Sequence, residues 1–148
     1  YQSAAFARRA DFLSVGSNDL TQYLLAVDRN NARVSELYHP FHPAVIEALV
    51  AVVAAGHSEG KPVNICGELA GDPLASVLLL AMGFDVLSMN ATSLPRVKKV
   101  IRSISYAEAL DILEQVRGFD KSRDIQRRLE ALLMERGLQQ FIPPSMDA

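Results

Sequence analysis

The alternation of short apolar runs with longer amphipathic segments restricts the fold of this chain more than any other feature of its sequence. Short runs rich in apolar residues at 11–16, 62–66 and 86–89 predict strands. Each run is followed by at least one segment that carries helix start and stop signals. Strands that alternate with helices in this order are joined by crossovers and lie parallel. The sequence therefore predicts an α/β fold with a parallel sheet.

Proline and glycine mark the ends of the predicted helices. Proline suits the first position of a helix, and Pro43 and Pro73 stand at the start of apolar segments. Gly60 and Gly83 stand where those two helices are predicted to end, Gly83 as a C-cap. On these signals and on apolar periodicity, helices are predicted at 2–10, 19–27, 43–59, 73–82, 93–104, 106–116 and 125–136.

The chain changes character after its third strand–helix unit. Two amphipathic helices and a tail at 137–148 follow Ser105 without a further strand. We therefore divide the chain into a partial α/β domain, residues 1–104, and a C-terminal helical extension of the same domain, residues 105–148. Three parallel strands alone would leave both edge strands unpaired, which makes a poor free-standing sheet.

Composition and charge exclude several classes of function. Hydrophobic residues form 49% of the chain and charged residues 22%, which is typical of a soluble globular protein. A net charge of -2 predicts no nucleic-acid partner, and the apolar runs are too short to span a bilayer. The single cysteine cannot form a disulfide framework. We expect a cytoplasmic protein that does not insert into membranes.

Two motifs follow predicted strands and carry a family resemblance. Residues 14–23 read Ser-Val-Gly-Ser-Asn-Asp-Leu-Thr-Gln-Tyr, and residues 64–72 read Asn-Ile-Cys-Gly-Glu-Leu-Ala-Gly-Asp. In this order and at this spacing they resemble the C-terminal phosphoenolpyruvate (PEP)-binding barrel of enzyme I of the sugar phosphotransferase system and of its nitrogen-related paralogue. Pyruvate phosphate dikinase and PEP synthase share that barrel. The resemblance covers residues 11–104.

The resemblance implies a fold and an activity for a longer protein. The three units would be the last three βα units of a TIM (β/α)8 barrel, which needs about 250 residues, followed by two C-terminal helices. The chain begins at Tyr1 rather than methionine, and we expect the other five units upstream. The intact enzyme would move phosphate from PEP to its own histidine and on to a histidine-containing phosphocarrier protein, and it would be a homodimer.

The active site of such a barrel lies at the carboxyl ends of its strands. The segments 16–19, 66–71 and 88–90 each follow a predicted strand. We therefore expect these three segments to line one rim of the sheet together.

Asn18 and Asp19 are the first candidate site residues. The Asp19 carboxylate is a hard oxygen ligand suited to Mg²⁺, and Asn18 supplies an amide donor near backbone N–H groups that would face an anion. On spacing alone, an Asn-Asp pair is more commonly a helix cap. The resemblance implies that both residues contact PEP and that Asp19 binds Mg²⁺.

Arg29 is the second candidate, and its interpretation depends on the resemblance. The guanidinium fork matches phosphate oxygens. An arginine beside a loop is otherwise commonly a solvated side chain. The resemblance implies that Arg29 contacts the phosphate of PEP.

Cys66 is the candidate for acid/base chemistry. Removal of phosphate from PEP leaves pyruvate enolate, and a thiol, with an ordinary pKa of about 8.5, can give the enolate carbon a proton. The alternative is an inert, packed cysteine. The resemblance implies the catalytic role for Cys66, with Gly67 and Gly71 allowing a close approach to the substrate. Glu68 and Asp72 are expected to orient the turn or to cap the next helix.

None of the three histidines is expected to carry phosphate. No histidine has a metal-ligating partner at a zinc-site spacing. The resemblance places the phosphorylated histidine in a separate domain whose motif does not occur here. Tyr23, Tyr38 and Phe41 are expected to be packing residues.

Two other interpretations remain open at this point. The chain could be the C-terminal part of a pyruvate phosphate dikinase or PEP synthase. It could also be a non-catalytic dimerisation module, since both C-terminal helices carry apolar stripes, although those stripes could equally close the lower face of a barrel. The amino-acid sequences of residues 26–31 and 105–109 favour the nitrogen-related paralogue. Because upstream ligands would be missing, we expect the chain alone to be inactive.

Overall fold

The order of elements along the chain agrees with the predicted alternation. The computed structural model describes residues 1–142, and the tail prediction for 143–148 lies outside that range. The strands are β1 (Leu13–Gly16), β2 (Val63–Cys66) and β3 (Val86–Ser88). The helices of the described range are α1 (Ser3–Ala7), α2 (Ser17–Leu25), α3 (Pro43–Ser58), α4 (Pro73–Met82), α5 (Leu94–Ile101), α6 (Tyr106–Arg117) and α7 (Ser122–Glu135). Short 3-10 turns occur at Ser35–Leu37, Leu69–Gly71 and Gln139–Phe141.

The three strands form one parallel sheet in the order β1-β2-β3. Gly16 is opposite Cys66, and Cys66 is opposite Ser88, so all three strands end at the same edge. The prediction of an α/β fold with parallel strands is confirmed. Parallel pairing in sequence order follows from the helices between the strands, because each helix returns the chain to the start of the next strand.

The helices cover one face of the sheet. Ile65 is buried in the main core, and Val15 and Leu87 pack against that core from the neighbouring strands. Successive side chains of a strand point to opposite faces, so the alternate residues face away from the helices. On that second face, Ser14 and Val86 are exposed. The side chains that pack in the core therefore lie on the helix-covered face. Cys66 and Ser88 are the last residues of β2 and β3 on the second face.

Helix α4 lies at the centre of the core. Nine of its residues are buried, and it packs against α5, α6 and α7. A helix that is apolar on all sides requires such surroundings. Most residues of the apolar stripes of α6 and α7 are buried in the interior of this chain, although Leu110 of α6 is 42% exposed. The buried members are Ala109, Ile112, Leu113, Val116, Ile125, Leu129, Leu132 and Leu133.

Local capping explains where the central helix begins and ends. The Asp72 side chain accepts a hydrogen bond of 2.8 Å from the backbone N–H of Leu74, which confirms the predicted capping role. Burial raises the pKa of the Asp72 carboxyl above its ordinary value. Gly83 ends the helix at a φ of +88°, in the region that favours glycine.

Several predicted boundaries are wrong by a few residues. Helix α2 begins at Ser17, two positions before the predicted start at Asp19, because it follows β1 directly. Helix α5 ends at Ile101 rather than Ile104, and α7 begins at Ser122 rather than Ile125. None of the helices within residues 1–142 combines the length and apolar character needed to cross a bilayer.

A two-pronged ion pair joins α3 to α6. Arg117 Nε donates to Glu47 Oε1 at 2.6 Å, and the second guanidinium nitrogen donates to Oε2 at 2.8 Å. The Arg117 hydrogen bonds hold the pKa of Glu47 below its ordinary value. A carboxyl with a lowered folded-state pKa adds stability at neutral pH, and this stability is lost as the pH falls through that pKa.

We expect Arg117→Ala to lower the free energy of unfolding by at most about 1 kcal/mol at pH 7, since the pair is half exposed. The difference from wild type should shrink as the pH falls through the lowered pKa of Glu47, and it should vanish once that carboxyl is protonated. Urea unfolding at pH 7 and at successively lower pH measures it. Arg123→Ala is the matched control, because Arg123 forms no ion pair with any residue of the described range. A pH-independent loss would contradict an ionic origin.

Candidate active site

The carboxyl edge of the sheet carries a cavity of about 640 Å³. The register places Gly16, Cys66 and Ser88 side by side, so the segments that follow β1, β2 and β3 emerge at one rim. The prediction that these segments share a rim is confirmed. The cavity is lined by Asn18, Gly67, Glu68, Gly71, Ser88, Met89, Asn90 and Ser93.

Asn18 and Asp19 lie in the first turn of α2, and neither caps it. Gly16 occupies the capping position, and no side chain there accepts a capping hydrogen bond. The capping interpretation of Asn18 and Asp19 is therefore wrong, because α2 starts directly after β1. Asn18 is half-buried, and its amide nitrogen donates to the carboxylate of Glu68.

The Asp19 carboxylate lies over the end of β1. Its Oδ2 atom is 3.6 Å from the position that a Cβ on Gly16 would occupy. Asp19 is exposed, and its side chain has no hydrogen-bond or ion-pair partner among residues 1–142. Gly16 is the partner of Cys66 in the sheet register, so this carboxylate lies near the end of β2.

Arg29 reaches the turn that follows β2. Its backbone N–H donates to Gln22 Oε1 at 3.0 Å, which ties the loop after α2 back to that helix. Its guanidinium Nη1 is 3.2 Å from Glu68 Oε1. Arg29 is therefore not simply solvated; the structure brings it to the same carboxylate that Asn18 contacts.

Cys66 is the last residue of β2 and is half-buried. Its position in the strand alternates with the buried Val63 and Ile65, so its side chain belongs to the sheet face that the helices do not cover. The thiol donates to the carbonyl oxygen of Val15 at 3.5 Å, and this hydrogen bond is weak because S–H is a weak donor. Cys66 is therefore not a core cysteine.

Of the four predicted site residues, the structure joins two through a shared third residue. Asn18 and Arg29 meet on Glu68 and both line a smaller cavity of about 140 Å³. Asp19 and Cys66 lie at the same sheet edge, but neither contacts Asn18 or Arg29 among the side-chain hydrogen bonds of the described range.

The glycines of the second motif are required by neighbouring protein atoms. Gly67 has a φ of +102°, and a Cβ there would lie 2.4 Å from Ser17 Oγ. A Cβ on Gly71 would lie 3.0 Å from Ser93 Oγ. The turn after Cys66 is thus pressed against the start of α2 and against the segment after β3. Both glycines also line the cavity of about 640 Å³, and their close approach to a substrate there stays a prediction.

Two residues of this network are not identifiable from the sequence as site residues. The sequence predicts only an orienting or capping role for Glu68, yet this side chain contacts both Asn18 and Arg29. Tyr38 was expected to be a packing residue, yet its hydroxyl lies 3.4 Å from Asn18 Oδ1 and can donate to it. Burial raises the pKa of Tyr38. The one available signal is the position of Glu68 beside Cys66; Tyr38 lies in a loop without a motif.

The donors present fit a metal ion only if other groups complete its shell. Within residues 1–142, no three His, Cys, Asp or Glu side chains are grouped closely enough to hold a metal ion by themselves. The exposed Asp19 carboxylate is a suitable single ligand for Mg²⁺, which keeps several waters and binds substrate phosphates. His42 accepts a helix-capping hydrogen bond, and His57 pairs with Asp85 at 2.9 Å.

The family model for the PEP-utilising enzyme, PEP-binding domain matches residues 2–106, which is more than half of the chain. That span contains β1, β2 and β3 with all of the segments at the rim.

Similar full-length proteins are named as phosphotransferases. The chain is 46% identical over 132 residues to "Phosphoenolpyruvate-protein phosphotransferase" of Haemophilus influenzae, covering 89% of this chain and 23% of that protein. It is 41% identical over 132 residues to "Phosphoenolpyruvate-dependent phosphotransferase system" of Escherichia coli K12, covering 89% of this chain and 18% of that protein. The chain thus spans about a fifth of the length of these relatives.

Proposed function

This chain belongs to the family of PEP-utilising enzymes, whose PEP-binding domain it matches, and we propose that it supplies part of the substrate site of a PEP-protein phosphotransferase. One observation carries the proposal: Asn18 and Arg29, from separate segments, converge on a single carboxylate at the carboxyl edge of the sheet. An amide and a guanidinium held in this way form a site for an anion with two oxygens to offer.

In the proposed reaction, the bond between phosphorus and the enol oxygen of PEP breaks and the phosphoryl group passes to a histidine of the intact enzyme. Arg29 and Asn18 bind the phosphate and orient it. Pyruvate enolate remains, and its methylene carbon takes the proton from the thiol of Cys66, which becomes a thiolate. The half-buried thiol would turn away from the Val15 carbonyl to deliver that proton, and the hydrogen bond there is easily broken because S–H is a weak donor.

Asp19 is the residue that would hold Mg²⁺. The ion supplies charge neutralisation of the phosphate when bound. The exposed carboxylate at the end of β1, close to Cys66 in the register, supports this assignment.

The uncovered face and the edges of the sheet support a larger barrel. Val86 and Ser88 are exposed on β3, and β1 has β2 as its neighbour in the three-stranded sheet. Five further strands would cover these positions and close a (β/α)8 barrel around the second face, with residues 1–104 as its last three units and 105–148 as a helical extension. The further strands would also bring additional ligands, and we propose that the chain alone therefore does not convert PEP.

The intact enzyme would act in the cytoplasm as a homodimer and pass phosphate to a histidine-containing phosphocarrier protein. The names of the relatives favour this assignment over a pyruvate phosphate dikinase or a PEP synthase. The interpretation as a pure dimerisation module loses its main support, because most residues of the stripes of α6 and α7 are buried within the chain.

The first test is calorimetric titration of PEP with Mg²⁺ into the intact enzyme that carries this segment. Arg29→Ala should weaken binding by roughly ten-fold or more, since it removes a charged hydrogen-bond donor. Arg29→Lys should restore only part of the affinity, because a lysine lacks the planar fork. Asp19→Asn should reduce the dependence of binding on Mg²⁺.

Arg33→Ala is the matched control. Arg33 is an exposed arginine of the same loop, and its guanidinium forms no hydrogen bond or ion pair with residues of the described range. Equal effects of Arg29→Ala and Arg33→Ala would reject the proposed phosphate contact and leave only a general loss of positive charge.

A further inference from the structure

We infer that the carboxylate of Glu68 is a displaceable internal anion, which occupies the place of the ligand's anionic oxygens between Asn18 and Arg29 and must leave before an anionic ligand binds. This inference deepens the proposed function and rests on it for the identity of the natural ligand. The contacts that support the inference are those of Glu68 with Asn18 and Arg29 within this chain.

The two oxygens of Glu68 are used separately. Oε2 accepts from the amide of Asn18, and Oε1 lies 3.2 Å from a terminal nitrogen of Arg29. A phosphate or a carboxylate of a ligand would offer two oxygens in the same manner. The side chain of Glu68 thus satisfies the same two donors that the proposed substrate requires.

Other parts of the chain hold the Asn18 amide and the backbone of Arg29. Gln22 accepts a hydrogen bond from the backbone of Arg29 at 3.0 Å, and the Tyr38 hydroxyl lies 3.4 Å from Asn18 Oδ1. The Tyr38 contact keeps the oxygen of the Asn18 amide engaged and turns its nitrogen toward the anion position. If Glu68 leaves, the Asn18 amide stays oriented and the Arg29 backbone stays tied to α2, so both donors are available to a new anion.

The side chain of Glu68 is free to leave. It is 73% exposed, whereas the side chain of Arg29 is 38% exposed. An exposed ion pair contributes little to stability, so its loss does not unfold the turn. The backbone at Glu68 is held independently by the Gly67 conformation and by the 3-10 turn at Leu69–Gly71.

The position of Glu68 also separates the two cavities. Asn18 and Glu68 line both the cavity of about 640 Å³ and that of about 140 Å³. Rotation of the Glu68 side chain toward solvent would join the two spaces next to Asn18 and Arg29. The carboxylate therefore acts as a selective barrier, because only an anion that binds both donors more strongly than Glu68 does can replace it.

The test is calorimetric titration of inorganic phosphate into the intact enzyme that carries this segment. Glu68→Gln keeps the size of the side chain and removes its charge, and it should bind phosphate roughly two- to five-fold more tightly. Glu68→Asp keeps the charge but is too short to reach both donors, so it should also bind phosphate more tightly than wild type. Glu36→Gln, the same charge change at another exposed glutamate, should match wild type.

Three results would overturn the inference. These are unchanged or weaker phosphate binding by Glu68→Gln, a Glu36→Gln effect as large as that of Glu68→Gln, and no phosphate binding by any form of the chain. Failure of the proposed function is seen separately, as PEP binding that is insensitive to Arg29 or as turnover that is insensitive to Cys66. Tighter phosphate binding by both Glu68 variants alone would support the internal anion even then.

Discussion

Replacing Cys66 by alanine is expected to lower the rate of pyruvate formation by the intact enzyme by about 10²–10⁴-fold, the range for loss of a general acid. Cys66 lies at the end of β2, on the sheet face that the helices leave uncovered, and its one described side-chain hydrogen bond is the weak contact to Val15. Its removal should leave the anion-binding pair of Asn18 and Arg29 intact. PEP affinity should therefore change by less than about three-fold.

The two quantities are measured separately, turnover by coupled pyruvate assay and affinity by calorimetry. Cys66→Ser is the informative second variant, because a hydroxyl is similar in size but a much weaker acid at neutral pH. It should be nearly as slow as the alanine variant. Turnover close to wild type in Cys66→Ser would mean that Cys66 fills space and that another group protonates the enolate.

The elements of this fold were predictable because their signals are local. Asp72, Pro73 and Gly83 fix the ends of α4 through bonds and backbone angles within a few residues. The boundary errors arise where the end of a neighbouring element sets the start of the next one. Helix α2 begins at Ser17 because β1 ends at Gly16. No side chain at that junction forms a capping hydrogen bond, so the sequence contains no start signal there.

The site was predictable only as far as its motifs extend. Asn18 and Cys66 stand in two motifs that end adjacent strands, so topology alone brings them to one rim. The contacts among the side chains depend on loops. Tyr38 reaches Asn18 across 20 positions of sequence, and Glu68 reaches Arg29 across 39. Local sequence patterns contain no information about contacts between such distant residues. For this reason the sequence predicts no part in binding for Glu68.

Gly67 is constrained both by its backbone conformation and by a neighbouring side chain that is distant in sequence. Its φ of +102° is strained for any residue with a Cβ, and the space that a Cβ would fill is occupied by Ser17 Oγ at 2.4 Å. Ser17 is 2% exposed, and its hydroxyl has no hydrogen-bond partner within residues 1–142. The hydroxyl can rotate away only within a buried space, so both backbone strain and crowding remain.

Gly67→Ala is therefore expected to lower the free energy of unfolding by roughly 2–4 kcal/mol, as the sum of backbone strain and crowding. Gly60→Ala is the matched control, because Gly60 has a φ of +66° and no neighbouring atom within 4 Å of a Cβ. That variant should lose only about 1 kcal/mol, from backbone strain alone. Urea unfolding of the two variants measures the difference, which combines the contact with α2 and the greater backbone strain at a φ of +102°.

A double-mutant cycle with Ser17→Ala tests that contact directly. Ser17→Ala alone should be neutral or slightly stabilising, since it removes a buried hydroxyl without a partner in the described range. Combined with Gly67→Ala, it should recover the crowding part of the loss and leave the strain, so the two substitutions are non-additive. Strict additivity, or equal losses in Gly67→Ala and Gly60→Ala, would mean that the turn carrying Cys66 and Glu68 is not fixed by its packing against α2.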